Sequence, residues 1–194
     1  ADMEEKDADL RNLIKEYHDG LLMIEMSNRN VWDKAAKDEA GLEAYFSKHK
    51  KQYKWSEPRF KGIAYHVRKR EDVAAVKNCV KNLPFSKWAE ALRKTFNADS
   101  VIRIRVEKGI FRKGDNAYVD RDVFKKDTTI APMKDYPIDA TFGKKIKAPE
   151  GMDDVRGLVV ADYQDELEKN WVEALRKRYK VVVDPKVVAT VNKH

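Results

Sequence analysis

Residues 59–106 read RFKGIAYHVRKREDVAAVKNCVKNLPFSKWAEALRKTFNADSVIRIRV, a stretch in which the period of the apolar pattern changes twice. The β-branched and aromatic run at 59–67 predicts a strand. Apolar residues then recur at helical spacing over 71–83 and 84–96, and Pro84 is typical of the first turn of a helix. At 100–106 the alternation of isoleucine with arginine predicts a second strand. The sequence of elements indicates an α+β fold.

Outward from this stretch, the chain is dominated by amphipathic helices. Apolar residues at helical spacing predict helices over 7–27 and 38–53, with Ser27, Asn28 and Asn30 between them, and over 152–179. A short strand (KVVVDP) and a final helical turn (KVVATV) follow. Pro58 and Pro149 bound the mixed region. We therefore expect a helical segment at 1–56, an α+β domain at 57–149 and a helical segment at 150–194. The two helical segments are expected to pack together and to bury Trp171 and Leu175.

Composition limits the classes of protein that the chain can be. The 194 residues carry a formal net charge of +7, from 40 basic and 33 acidic residues, and 42% of them are apolar. Such a balance is typical of solvated helix faces on a protein with a real core. The single cysteine, Cys79, excludes an internal disulfide and every multi-cysteine metal site. The first ten residues, ADMEEKDADL, lack the apolar region of a signal peptide, so we expect a mature or excised piece of a longer protein.

Familiar catalytic motifs are absent from the sequence. The chain has no glycine-rich phosphate loop, no HExxH and no GxSxG elbow. Its four histidines, at positions 18, 49, 66 and 194, are scattered and do not form a metal-binding pair at helical spacing. We expect no metal and no cofactor.

The order of elements between Trp55 and Lys147 resembles the parvulin domain of peptidyl-prolyl isomerases. Parvulins open with a strand that carries Arg-His-Ile, and Lys61-Gly62-Ile63 stands in that place. Their Phe-Ser-x-Asp segment is matched by Phe96-Asn97-Ala98-Asp99, and their glycine turn by EKGIFRKG. Their closing Phe-Gly-x-His-Ile-Ile is matched by Phe142-Gly143-Lys144-Lys145-Ile146.

The flanks are similar to those of SurA-like chaperones, which carry such domains between helices. The similar segments are VWDKAAKDEAGLEAYFSKHKKQYKW before the domain and VRGLVVADYQDELEKNWVEALRKRYKVVV after it. The resemblance implies a parvulin-like domain inserted between the flanking helices of a chaperone module. It implies a periplasmic or cell-envelope location and unfolded or extended client polypeptides as partners, with outer-membrane proteins among the candidates. It implies neither nucleic-acid binding nor insertion into a membrane.

The resemblance also implies which residues form the site. Gly62 and Lys145 stand where the family has two histidines, and they are expected on neighbouring strands. Asp99 is expected near the floor of the same isomerase site, so Asp99 and Lys145 are expected to be the remnants of a degenerate catalytic cluster. The expected substrate groove is lined by Tyr65, Phe111, Asn116, Tyr118, Phe124 and Phe142. The resulting hypothesis is a client-binding chaperone with weak or absent isomerase activity.

Two alternative functions stay open from the sequence. The first is a fully active prolyl isomerase, which needs a hydrogen-bonded polar cluster at the groove floor. The second is a basic module that binds nucleic acid or another polyanion through Arg103, Arg105, Arg112 and Lys113. The alternation of Arg103 and Arg105 with isoleucines favours a solvated strand face for these arginines instead.

Overall fold

A computed structural model describes residues 8–98 and 101–190 and divides the chain into two compact units. The first unit combines the two ends of the chain, up to residue 50 and from residue 155, and is helical. The second unit, residues 51–154, contains a three-stranded antiparallel sheet with helices. The protein is therefore α+β, with boundaries at 50/51 and 154/155 where the sequence predicted 56/57 and 149/150.

The elements are numbered in chain order. The helices are α1 (Ala8–Ser27), α2 (Asp33–Lys37), α3 (Glu39–His49), α4 (Arg70–Val80), α5 (Trp88–Phe96), α6 (Ala117–Asp122), α7 (Arg156–Arg178) and α8 (Pro185–Val188). A π-helical turn lies at Asn28–Trp32, and 3₁₀ turns lie at Lys50–Tyr53, Phe85–Lys87 and Met152–Val155. The strands are β1 (Arg59–Val67), β2 (Ile104–Phe111) and β3 (Ile138–Ile146).

The expected break after α1 is missing, because the chain stays helical through the π-helical turn into α2. Asn30 donates a hydrogen bond to the carbonyl of Met26 at 2.7 Å, and Val31 is buried, so local polarity does not end the helix here. The helix ends instead at Asp38, whose carboxylate accepts a hydrogen bond from the Gly41 amide at 2.9 Å and caps α3.

The first half of α7 closes the core of the helical unit. Val31, Ala35, Leu42, Phe46 and Val159 are buried, and α7 packs against α2, α3 and the π-helical turn. The phenol of Tyr163 donates a hydrogen bond to Asp38 at 2.8 Å.

The expected burial of Trp171 and Leu175 is wrong, because both side chains remain partly exposed in the second half of α7. The expected strand at KVVVDP is also absent, and Val181, Val182 and Val183 are exposed. A strand needs a neighbour for its backbone hydrogen bonds, and no described strand pairs with this segment.

In the second unit the sheet order is β2-β1-β3, so β1 is central and nearly all buried. Arg59 pairs with Ile146, which brings the two ends of this unit together. Alternate residues of β1 face two separate apolar clusters. Ile63, Tyr65 and Val67 pack against α4 and α5, whereas Phe60 and Ala64 pack with Phe111 and with Val119 of α6.

The second strand begins at Ile104, later than the expected 100–106, and continues through Gly109 to Phe111. The amides of Arg103 and Ile104 both donate to the side-chain oxygen of Asn97, at 3.0 and 3.1 Å. These bonds hold the chain before the strand against the end of α5. Ser100 lies outside the described residues.

Candidate functional site

Gly62 and Lys145 lie on adjacent strands of the sheet and on the same face, the one covered by α6. Gly62 pairs with Gly143, while Lys145 pairs with Phe60, two positions along the ladder. The adjacency of β1 and β3 is the one that the resemblance implies, but the two residues are diagonal and not directly opposite. Asp99 lies outside the described residues.

The space above Gly62 is already filled. A β-carbon added to Gly62 would collide with the carbonyl oxygen of Phe142 and would lie 2.6 Å from the end of the Phe60 ring. At the facing Gly143, whose φ is +155°, a β-carbon would collide with the carbonyl of Lys61 and lie 2.6 Å from the Gly62 α-carbon. Two glycines therefore permit a close strand approach that no side chain would allow.

Lys145 is exposed, and its ammonium lies 5.4 Å from the centre of the Phe124 ring. Among the described residues it has no carboxylate partner within ion-pair distance. An ammonium over an aromatic face is a cation–π contact, and a flexible point charge of this kind does not reproduce the two-nitrogen geometry of an imidazole.

The expected groove residues are divided between the two faces of the sheet. Phe111, Asn116, Tyr118 and Phe124 are on the α6 side, whereas Tyr65 and Phe142 are on the α4/α5 side. Tyr65 is fully buried, and its hydroxyl donates to the carbonyl of Val73 at 3.1 Å. Burial raises the pKa of Tyr65 to about 12. Tyr65 is therefore a core residue and does not line the groove.

On the α6 side, most of the expected residues have structural roles as well. The side-chain oxygen Oδ1 of Asn116 accepts hydrogen bonds from the amides of Tyr118 and Val119, both at 3.0 Å, and caps α6. Phe111 is buried and stacks against Phe60, with the ring centres 6.3 Å apart. Tyr118 and Phe124 are half-buried and remain available at the surface.

A histidine that the sequence analysis left unassigned lies on this same face. His66 is 9% exposed, contacts Tyr118 edge-on with 4.4 Å between ring centres, and has a buried Nδ1 without a hydrogen-bond partner. Burial lowers the pKa of His66, and the carboxylates of Asp139 and Glu107 oppose that shift. The sequence contained a signal for this position. Side chains alternate between the two faces along a strand, so His66, four residues after Gly62, is expected on the same face as Gly62.

Two cavities lie beside β3, one on each face of the sheet; the expected groove residue Phe142 lines both, and Lys145 lines the one on the α6 side. A cavity of about 410 Å³ on the α4/α5 side has an aromatic floor of Phe85, Trp88 and Phe142. Its remaining lining is Lys61, Lys81, Leu83, Gly143, Lys144 and Glu150. A cavity of about 360 Å³ on the α6 side is lined by Phe60, Asp122, Val123, Thr141 and Lys145, together with Phe142, Gly143 and Lys144.

Ion pairs neutralise some of the lysines around the first cavity. Lys61 is 2.6 Å from Asp154 and 3.3 Å from Glu150, and Lys144 is 2.5 Å from Glu150. Burial lowers the pKa of Lys61, but the two carboxylates outweigh it and the net shift is upward. Lys81 has no carboxylate within ion-pair distance in the described part of the chain.

Three of the four basic residues of the polyanion alternative contact separate partners. Arg103 precedes β2 and bonds the buried Asp72 at 2.6 Å, and Arg112 bonds Asp115 at 2.9 Å. Arg105 lies over the ring of Tyr136, with 5.6 Å to its centre. Each of these three arginines contacts a different partner. The contacts therefore do not favour a single basic surface on which the side chains converge to bind a polyanion.

Within residues 8–98 and 101–190, no three His, Cys, Asp or Glu side chains come together as metal ligands would. No helix in those ranges has the length and apolar character needed to cross a bilayer. Comparisons with protein-family models, curated proteins and solved structures found no match for this chain.

Proposed function

We propose that this chain is the client-binding part of a parvulin-type isomerase and chaperone of the SurA-like family, in which the isomerase site is inactive. The order strand, two helices, strand, short helix, strand supports it, as does the antiparallel pairing of the first and last strands. Both features are what the resemblance implies. The periplasm or cell envelope is the proposed location, and unfolded outer-membrane proteins are the proposed clients.

The main observation in favour of an inactive isomerase site is the Phe60 ring that lies over Gly62. Twisting a prolyl amide must overcome a barrier of about 20 kcal/mol, so an isomerase needs oriented polar groups around that bond. The position that the family gives to its first histidine here has no side chain, and its space is occupied by an aromatic carbon at 2.6 Å. The second position is Lys145, which extends over Phe124.

Client binding is supported by the apolar surface of the helical unit. Eight large apolar side chains of α1 are exposed: Leu13, Ile14, Tyr17, Leu21, Leu22, Met23, Ile24 and Met26. Leu13, Ile14, Tyr17, Leu21 and Ile24 recur at helical spacing and share one face. An exposed apolar face is typical of a binding site, and each such side chain that a client covers contributes roughly 1.5–3 kcal/mol.

Two assays on the full chain test this proposal. The chain should suppress the aggregation of a chemically denatured β-barrel protein on dilution. In a protease-coupled assay with a proline peptide, isomerisation should keep its uncatalysed time of tens to hundreds of seconds. A Leu21→Ser, Ile24→Ser variant should lose suppression, while Arg11→Ser on the same helix should retain it. Robust isomerisation, or unchanged suppression by the double variant, would contradict the proposal.

Active isomerisation is the second candidate function, and His66 is the observation that favours it. It is the one described histidine on the same sheet face as Gly62 and Lys145, and its Nδ1 has no partner. If the chain isomerises prolyl bonds, His66→Gln should lower kcat/KM by 10²-fold or more, the usual contribution of a general acid or base. His18→Gln, a change at an exposed histidine of α1, is the control.

A further inference from the structure

We propose that the outer edge of β3 binds an extended polypeptide as a fourth strand, and that alternate side chains of this strand enter the two cavities beside β3. This inference rests on the proposed function and names the part of the second unit that holds a client. The expected occupant is a segment with an aromatic residue flanked by acidic ones.

The first step is that the edge is open. β3 pairs with β1 on one side, and no described residue forms a backbone or side-chain hydrogen bond with its other side. An unpaired strand edge presents backbone donors and acceptors in a row, and peptides are commonly recognised by adding a strand there.

The second step identifies which residues offer those groups. In an antiparallel ladder, residues alternate between those that bond the partner and those that face away. The carbonyl of Phe142 points at Gly62, and the carbonyl of Lys61 points at Gly143. Phe142 and Lys144 therefore bond to β1, while Thr141, Gly143 and Lys145 turn their amides and carbonyls to the open edge.

The third step is the position of the cavities. Both include Phe142, Gly143 and Lys144 in their lining, and they lie on opposite faces of the sheet at this point of the edge. Successive side chains of a strand point to opposite faces, so one residue of an added strand would enter the aromatic cavity and its neighbour the α6-side cavity. Volumes of about 410 and 360 Å³ are within the range of sites for small groups.

Charge determines the character of the occupant. Each cavity has one lysine without a carboxylate partner among the described residues, Lys81 on the α4/α5 side and Lys145 on the α6 side. An acidic residue next to the central aromatic residue would face the α6 side and pair with Lys145, and one two positions away would face the α4/α5 side and pair with Lys81. The adjacent Lys144 and Lys145 also disfavour pairing with β3 of a second copy, because lysines on an edge strand repel a like edge.

The probe is the capped nonapeptide Thr-Val-Glu-Glu-Phe-Glu-Glu-Val-Thr, which carries acidic residues on both faces, added to the full chain labelled with ¹⁵N. On binding, amide exchange of Thr141, Gly143 and Lys145 should slow at least tenfold, whereas exchange of Phe142 and Lys144 should not change. N-methylation of one set of alternate peptide residues should weaken binding by tenfold or more, and N-methylation of the other set should have little effect.

A charge-reversal pair tests the cavity. Lys81→Glu should weaken peptide binding about tenfold at low salt, because it places a like charge beside the peptide carboxylates. Lys113→Glu, at an exposed position of the same unit and outside both cavity linings, should leave binding unchanged and controls for net charge.

Three results would overturn the inference: no peptide binding, protection spread over residues outside the edge, or equal loss from both N-methylated sets. A dimer of the free chain that protects the same three amides would assign the edge to a second copy. If one of these results is found but the chain still suppresses aggregation, the proposed function stands and the client binds at a different surface. If the chain does not suppress client aggregation but the peptide protects the amides of Thr141, Gly143 and Lys145, the chaperone proposal is rejected and the edge-binding inference stands.

Discussion

At the scale of single residues, the pair Gly62 and Gly143 determines what the α6-side face can do. Their lack of side chains brings β1 and β3 close enough for the Phe60 ring to cover the site. The same geometry explains why Gly62 does not hold a histidine in this chain: any β-carbon there meets backbone atoms of β3, which cannot rotate away.

Gly62→Ala is expected to destabilise the protein by about 1–3 kcal/mol, the usual cost of inserting a group into a packed site. Thermal or urea unfolding measures this change. Gly20→Ala is the control, because a β-carbon there meets no atom within 4 Å and alanine favours a helix interior. Unfolding midpoints that fall equally in both variants would contradict the packing argument. Gly62→His is likewise expected to leave prolyl isomerisation at the uncatalysed rate.

His66 makes stability depend on pH in the acidic range. Its folded-state pKa is lowered by burial, so the unfolded chain binds the proton first as the pH falls below the ordinary value of 6.5. Stability should therefore be full above that pH and decrease as the pH falls toward the folded-state pKa. His66→Gln should flatten this part of the profile of unfolding free energy against pH, and an unchanged profile would contradict the prediction.

At the scale of elements, single side chains hold neighbouring segments together. Arg103 ties the chain before β2 to α4 through the buried Asp72. Arg103→Ala is expected to cost about 1.5–3 kcal/mol, since it leaves a buried carboxylate without its charged partner. Urea unfolding of this variant, compared with Arg70→Ala on the exposed start of α4, measures the cost. Equal midpoints would show that the ion pair contributes nothing.

Tyr163 ties α7 to the capping residue of α3. Burial and the bond to Asp38 raise the pKa of Tyr163 to about 12, above its ordinary 10.0. The unfolded chain then loses the phenolic proton first, so stability is present below pH 10 and falls as the pH rises toward about 12. Tyrosinate absorbance near 295 nm should show a late phase that Tyr163→Phe reduces, and a titration curve unchanged by Tyr163→Phe would contradict the prediction.

At the scale of the whole molecule, the two units draw on different parts of the chain. Residues 51–154 contain both apolar clusters of the sheet, so this segment is expected to fold when expressed alone. Circular dichroism and dispersed amide spectra should show its strands. Residues 1–50 alone should remain largely unfolded, because Val159 and Tyr163 of their core come from the other end of the chain. A fragment 51–154 without dispersed amide signals would contradict this division.

Local patterns in the sequence were sufficient for much of the fold. The strand at 59–67 and the α+β class are confirmed, and the helices over 71–83 and 84–96 appear with shorter bounds, because periodicity and propensity act over a few residues. The same reasoning failed at Ser27–Asn30, where burial of Val31 outweighed polar residues that usually end a helix.

Tertiary structure alone decided the candidate site. Strand register places Lys145 opposite Phe60, and Tyr65 is buried in the core. Among the described residues no strand pairs with the outer edge of β3, which lies between the two cavities. None of these depends on neighbours in sequence: strand register is fixed by which side chains pack across the sheet, and the edge is open because no other strand in the described part of the chain reaches it. Local sequence determined most of the elements, but long-range packing decided the absence of a strand at KVVVDP, the continuous helix through Val31 and which residues meet.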